Sequence, residues 1–441
     1  MTDLQRLCDE IAARVDARRD EATALLQELV RTRSVNPAYP GVSREEHLGG
    51  ETRVNELLAV GYAEAGLETH WVAEDPDRRN LVGVRKGAGG GRSLILNGHI
   101  DTVPPVAEEW PCGDPWNPEI HDGRLYGLGS TDMKASAVSM WLAAQALRDT
   151  GIELRGDLQL HSVVGEETAE YHLGTVACVK AGFRADGAVV TEPSNPPRPL
   201  TITPVSASFC WLKVVVEGKA THAGNRPLAI RPGGPGDAIG VNALEKGVKL
   251  VRALQELERQ WGLSKSHPYF SPGFFTIMPG IFRADPGVPF PAYFPDRAEL
   301  HWGLWYPPDA DDEAVIAEVE RFVLDTCRLD PWLAEHPPQF EWLLRYPGLT
   351  TDWEHPLPQA MVAAWQRVTG IRVPEPSPAY PVNFGAATDA TWLEREGIPS
   401  IVFGPGDLKV AHCKDEYVML DEVFLAAKGL AACAMEWCGV V

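Results

Sequence analysis

The chain has 441 residues, 44% of them hydrophobic and 23% charged, a composition that suits a globular protein long enough for more than one core, so two domains are expected. Lys and Arg total 40 against 61 Asp and Glu, a formal charge of −21, and a field of that sign repels phosphate backbones and anionic bilayers, which argues against nucleic-acid and membrane partners. The N-terminal stretch interleaves charges with helical periodicity and has no apolar core of signal-peptide length, and runs such as AVSMWLAAQAL are too short to span a bilayer, so a cytoplasmic protein is expected.

Helical spacing of apolar residues predicts helices at 22–30 and 54–67, separated by the loop SVNPAYPG. Short β-type runs follow at 69–72, 80–84 and 93–96, then a helix at 135–147, a strand at 157–164, a helix at 174–181 and a strand at 187–190. This order predicts an α/β fold, a mostly parallel sheet with helices on both faces. The Pro-rich segment EPSNPPRPLTITP reads as a junction. Beyond it come the strand WLKVVVEG, a helix at 238–259, strands at 274–277 and 298–305, a helix at 312–327 and the strand PQFEWLLRYP, the makings of an α+β two-layer sandwich. From His355 the first pattern resumes, so residues 205–348 are expected to be an inserted domain, with 1–204 and 349–441 forming the main one. The eight cysteines, Cys8, Cys112, Cys178, Cys210, Cys327, Cys413, Cys433 and Cys438, include no CxxC pair, which favours buried thiols over a zinc ribbon or disulfide framework.

Chemistry-bearing residues gather where strands end. The strand SLILNGHIDTVPP ends in His99 and Asp101, two positions apart and so on one side of extended chain. Asp132 follows a Gly-rich turn and precedes a helix, where a helix cap is its ordinary role. Glu166 and Glu167 follow the strand LQLHSVV, Glu192 follows GAVV, and His412 lies in the loop after SIVFG, ahead of Asp415 and Glu416. Any one of these has an ordinary structural explanation. Together they supply a mixed nitrogen and oxygen set suited to zinc or another borderline divalent ion, with more ligands than one tetrahedral site takes. Two metals sharing a carboxylate would use five residues and leave one Glu as base.

The chain resembles the di-zinc aminoacylase/carboxypeptidase-type metallopeptidases, in particular the branch with acetylornithine deacetylase and succinyl-diaminopimelate desuccinylase. The resemblance runs through GHIDTVPP, GLGSTDMK, GEET, TEPS, GKATHAG and TDATWLEREGIPSIVFGPGD followed by AHCKDEYV. It implies that His99, Asp132 and Glu192 hold one metal, that Asp132, Glu167 and His412 hold the other, that Asp101 orients His99, and that Glu166 is the general base. It further implies that His222 of GKATHAG reaches an active site, often the partner subunit's, with the inserted domain serving as lid and homodimer contact. Leu128 and Ala135 stand where that pattern commonly has Arg and Gly, which alters the surroundings of the site without removing a ligand.

The implied activity is hydrolysis of the amide of a small N-acyl amino acid, with a dipeptidase or metallocarboxypeptidase on the same residues as the alternative. Two zinc, cobalt or manganese ions per chain against three carboxylates leave a site that welcomes a substrate carboxylate, for which Asn242 and Arg283 are candidate partners. A non-catalytic, metal-stabilised binding protein has no use for a free Glu166. The segment 269–306 carries eleven aromatic residues, expected mostly as packing; Phe282, Phe290 and Tyr293 would instead enlarge an apolar substrate pocket if they faced the metals.

Overall fold

The structure, a computed structural model, describes residues 3–106, 109–110, 113–194, 198–285, 287–288 and 290–441; Cys112 and part of the expected junction, residues 195–197, lie outside them. Three amphipathic helices open the chain, α1 (Asp3–Ala17), α2 (Arg19–Arg31) and α3 (Gly50–Glu64). They bury stripes such as Ile11 with Val15 and Leu26 with Leu29 in one core. Next come β1 (Glu68–Asp75), β2 (Arg78–Arg85), β3 (Leu94–His99), α4 (Ala135–Asp149), β4 (Leu158–Val163), α5 (Thr175–Lys180) and β5 (Gly187–Val190). A second unit contains β6 (Ser208–Glu217), α6 (Ala243–Ser264), β7 (Thr276–Arg283), β8 (Arg297–Tyr306), α7 (Asp312–Cys327) and β9 (Gln339–Tyr346). The chain then returns through α8 (Pro356–Thr369), α9 (Ala390–Arg395), β10 (Ser400–Val402) and α10 (Leu420–Cys438).

The larger sheet runs β1-β2-β4-β3-β5-β10. Its last four strands are parallel, and the β1–β2 hairpin joins β4 antiparallel. Parallel strands covered on both faces need apolar residues at every position. In β3, Leu94 and Leu96 face the core with α4 and α10, while Ile95 joins Val179 of α5 and Leu393 of α9 on the opposite face. The smaller sheet, β7-β8-β6-β9, is antiparallel throughout, and α6 and α7 cover one of its faces. Two chain crossings link the units, and at them the Ser206 and Ser208 hydroxyls accept hydrogen bonds from the Leu349 and Gly348 N–H groups.

Element boundaries move where a terminus demands it. The helix expected from 238 starts at Ala243 because the Asn242 side chain accepts from the Leu244 and Glu245 N–H groups, closing the first turn. The strand expected at 274–277 runs instead from Thr276 to Arg283, because its pairing with β8 continues past a bulge between Pro279 and Ile281.

One buried ion-pair cluster ties β2 to the loop after β4. The Arg78 guanidinium donates to both Glu51 oxygens at 2.5 and 2.8 Å and to Glu170 at 2.6 Å. Arg78 and Glu51 are fully buried, and burial pushes the Glu51 carboxyl up to about 7. Removing one partner of such a pair leaves a charge stranded in the interior. Arg78→Met is therefore expected to destabilise the protein by about 3–5 kcal/mol, read as a lower urea midpoint, and an unchanged midpoint would show that the cluster does not hold the fold.

Candidate active site

The parallel strands end along one edge of the sheet, which brings together residues that the chain keeps far apart. His99 closes β3, Glu166 and Glu167 follow β4, Glu192 follows β5, Asp132 stands just before α4 and His412 lies beyond β10. Asp132 is central. Its Oδ1 is 3.1 Å from His99 Nε2 and its Oδ2 is 3.4 Å from His412 Nε2. His99 Nε2 also lies 3.8 Å from Glu192 and 3.9 Å from Glu166, and His412 Nε2 lies 3.2 Å from Glu167. Donor atoms of His99, Asp132 and Glu167 fall within 4.8 Å of one another, as do those of His99, Glu166 and Glu192. His412 has left-handed backbone with φ 59°, an uncommon conformation for a residue with a side chain.

The charges are not balanced by the protein alone. Burial pushes the Glu166 and Glu192 carboxyls well above the usual range, and neighbouring carboxylates add to it. Glu167 is raised for the same reason, its burial reinforced by Asp132. For His99, burial favours the neutral ring but is outweighed by Glu192, Asp132, Glu166 and Asp101, so its pKa is raised. Burial also opposes protonation of His412, yet hydrogen bonds to Asp132 and Glu167 push it up to about 12. Asp132, despite its burial, is held low by the two imidazoles. Glu167 Oε1 is buried with no hydrogen-bond partner among the described residues. A divalent ion answers each of these features, since the donors are imidazole nitrogen and carboxylate oxygen, and the residues fit such a metal.

Asp101 meets His99 through its backbone and the 165–167 loop through its carboxylate. His99 Nδ1 lies 3.1 Å from the Asp101 backbone carbonyl and 3.6 Å from its carboxylate. The carboxylate instead accepts from the backbone N–H groups of Gly165, Glu166 and Glu167 and from the Asn36 amide. It thereby fixes the loop that carries two of the acids. Glu416, to which the sequence reading gave no role, does the same for Asp132: Oε1 accepts from the Thr131 and Asp132 N–H groups at 2.9 and 3.1 Å. The signal in the sequence was an acidic residue shortly after His412 and immediately before a strand.

These acids open on a cavity of about 800 Å³ whose walls include Phe209, Trp211, Leu344 and Tyr346 of the second unit. No Lys or Arg is among its described lining residues. Asn242 and Arg283 are elsewhere: Asn242 caps α6, and Arg283 is exposed, 3.6 Å from Glu299. The unsatisfied N–H groups at a helix start claim an Asn there. Phe290 and Tyr293 line a separate cavity, while Phe282 packs on Gly247 of α6. His222 is outside the acidic cavity in its own chain, and its Nδ1 accepts from the Gly224 N–H.

A family model described as peptidase family M20/M25/M40 matches residues 95–436. The chain is 33% identical over 442 residues to the N-formyl-4-amino-5-aminomethyl-2-methylpyrimidine deformylase of Halalkalibacterium halodurans, covering 98% of this chain and 97% of that protein. It is 29% identical over 409 residues to the succinyl-diaminopimelate desuccinylase of Thioalkalivibrio sulfidiphilus, covering 90% and 94%. Human carnosine dipeptidase 1 has the same fold, with a TM-score of 0.73 at 15% identity, covering 98% of this chain and 99% of that one.

Metal ligands must be deprotonated to bind. Because His99, His412, Glu167 and Glu192 all hold their protons above their ordinary range, loading of metal-free protein is expected to release protons, the more so at lower pH. Calorimetric titration with Zn²⁺ in buffers of different ionisation enthalpy measures this, and loading that releases no proton at pH 6 contradicts it.

Proposed function

Because the chain belongs to peptidase family M20/M25/M40, we propose that it is a metal-dependent hydrolase that removes a small acyl group from a primary amine, with Glu166 as general base. The observation that carries this reading is Asp132, one oxygen facing His99 and the other His412, with Glu166 beside them. His99, Asp132 and Glu192 would hold one ion, and Asp132, Glu167 and His412 the other, with Zn²⁺ as the first metal to test and Co²⁺ and Mn²⁺ after it. Bound ions supply Lewis acidity toward the scissile carbonyl and lower the pKa of water. Glu166, ionised beside such cations, takes a proton from the attacking water and returns it to the leaving nitrogen.

The wall composition favours an uncharged amine half, and the relative named as a pyrimidine deformylase makes formyl the first acyl group to test. An N-acyl amino acid would bring a carboxylate to a cavity whose described lining contains no cationic side chain other than His412. Assays of N-formyl, N-acetyl and N-succinyl amines and amino acids, with dipeptides alongside, separate a deformylase from the amino-acid deacylase, dipeptidase and metallocarboxypeptidase readings. Glu166→Gln is expected to lose at least about a hundredfold in kcat while its metal content, measured by atomic emission, stays at the wild-type level. Retained turnover would overturn the assignment.

His222 is read as an oxyanion donor acting across a homodimer. The exposure of Leu244, Met278, Phe290 and Tyr293 on the second unit supports that partner. The unpaired state of the seven described cysteines supports a reducing cytoplasm; among the described residues no helix is long and apolar enough to cross a membrane. Mixing inactive Glu166→Gln and His222→Ala chains is expected to restore activity, because one mixed site then has both groups. A monomer by light scattering, with no recovery on mixing, would remove the dimer from the proposal.

A further inference from the structure

The two faces of the smaller sheet differ. Leu212, Val214, Leu300 and Trp302 face α6 and α7. The opposite face of an antiparallel sheet is ordinarily polar, and away from the acids it is: Lys213 pairs with Glu341 at 2.9 Å and Arg297 with Glu299 at 3.3 Å. Toward the acids the same face turns aromatic. Phe209 and Trp211 of β6 stand opposite Tyr346 and Leu344 of β9, and all four line the cavity that holds Glu166 and Glu192. A bulge between Trp342 and Leu344 makes this possible, since it shifts β9 by one residue so that Trp342 packs toward the helices while Leu344 and Tyr346 join the cavity face.

Trp211 is held from behind. Its indole N–H donates to His301 Nδ1 at 2.9 Å, which places the imidazole proton on Nε2, 3.1 Å from Glu299 Oε1. Gly303 pairs with Trp211 across β6 and β8; a Cβ there would meet the rings of Trp305 and Phe209 at 2.8 and 3.0 Å. The bare position lets those two rings pack 4.8 Å apart beside the indole. With its N–H occupied, Trp211 has an apolar ring to offer the cavity.

We propose that Trp211 is the specificity-determining residue of this site, a platform on which an uncharged planar ring of the amine half stacks while the amide reaches Glu166, and that His301 is its positioning residue. This rests on the amide-hydrolase reading above. The anchoring is what distinguishes it from ordinary core packing: a stacking platform serves selectivity when its rotamer is fixed before the substrate arrives.

The test uses the full-length metal-loaded protein with N-formylbenzylamine and N-formylbutylamine. Trp211→Leu is expected to raise KM for the benzyl compound about tenfold or more, the scale of losing one stacking partner, and to raise KM for the butyl compound by a clearly smaller factor, so that the preference for the ring is lost. Trp211→Phe keeps a ring and most of the preference. His301→Leu shares the loss, and His301→Gln, whose amide oxygen accepts the indole N–H, recovers it. Equal losses for the two compounds, or a wild-type enzyme without preference for the benzyl compound, would overturn the proposal. Calorimetric binding of both compounds to metal-loaded Glu166→Gln protein separates the two readings. If the wild type hydrolyses neither formamide, the amide-hydrolase reading fails, while tighter binding of the benzyl compound that disappears on adding Trp211→Leu still supports the platform, and equal binding overturns it.

Discussion

Asp101, Asp132, Glu166, Glu167 and Glu192 would drive one another apart in so dry a cleft, and the elements around them are arranged to counter that repulsion. The Asp101 carboxylate is held in place by three backbone N–H groups and an amide. Glu416 clamps the backbone of Asp132, and Arg78 anchors Glu170 at the end of the loop that carries Glu166 and Glu167. What these contacts leave uncompensated is the inner set of acids and imidazoles, and that imbalance is what cations of the right hardness would relieve.

The sheet explains why so many elements are recruited. Parallel strands end at one edge and are separated in sequence by helices, so each contributes one acid or imidazole on its own rigid support. The second unit brings no described acid to this cavity. It supplies an aromatic wall, so under the proposed reading bond cleavage and recognition of the amine half would fall to different units, joined through the short crossings at Ser206 and Leu349.

Much of the architecture was legible because its signals are local. The 2.0 and 3.6 residue periods marked most elements. The metal-type residues stood out because acids at the ends of apolar strands need an explanation. Contacts of single polar side chains are not legible in the same way: residue type alone does not show that Asn242 caps α6 at Leu244 or that Arg283 lies beside Glu299, which neighbours decide. The aromatic residues of 269–306 stand out by density, yet the aromatic lining of the described cavity is Tyr39, Phe209, Trp211, Tyr346 and Phe384, which are scattered through the sequence.

By itself, then, the sequence determined the fold class and singled out acids and imidazoles that the fold gathers at one sheet edge, because periodicity and charge placement act over a few residues. Tertiary structure alone decided which oxygens of Asp132 face which histidine, that Asp101 serves the 165–167 backbone, and that a one-residue bulge turns Tyr346 toward the acids. These are matters of register and angle between elements distant in the chain, fixed when the sheets pack and not before.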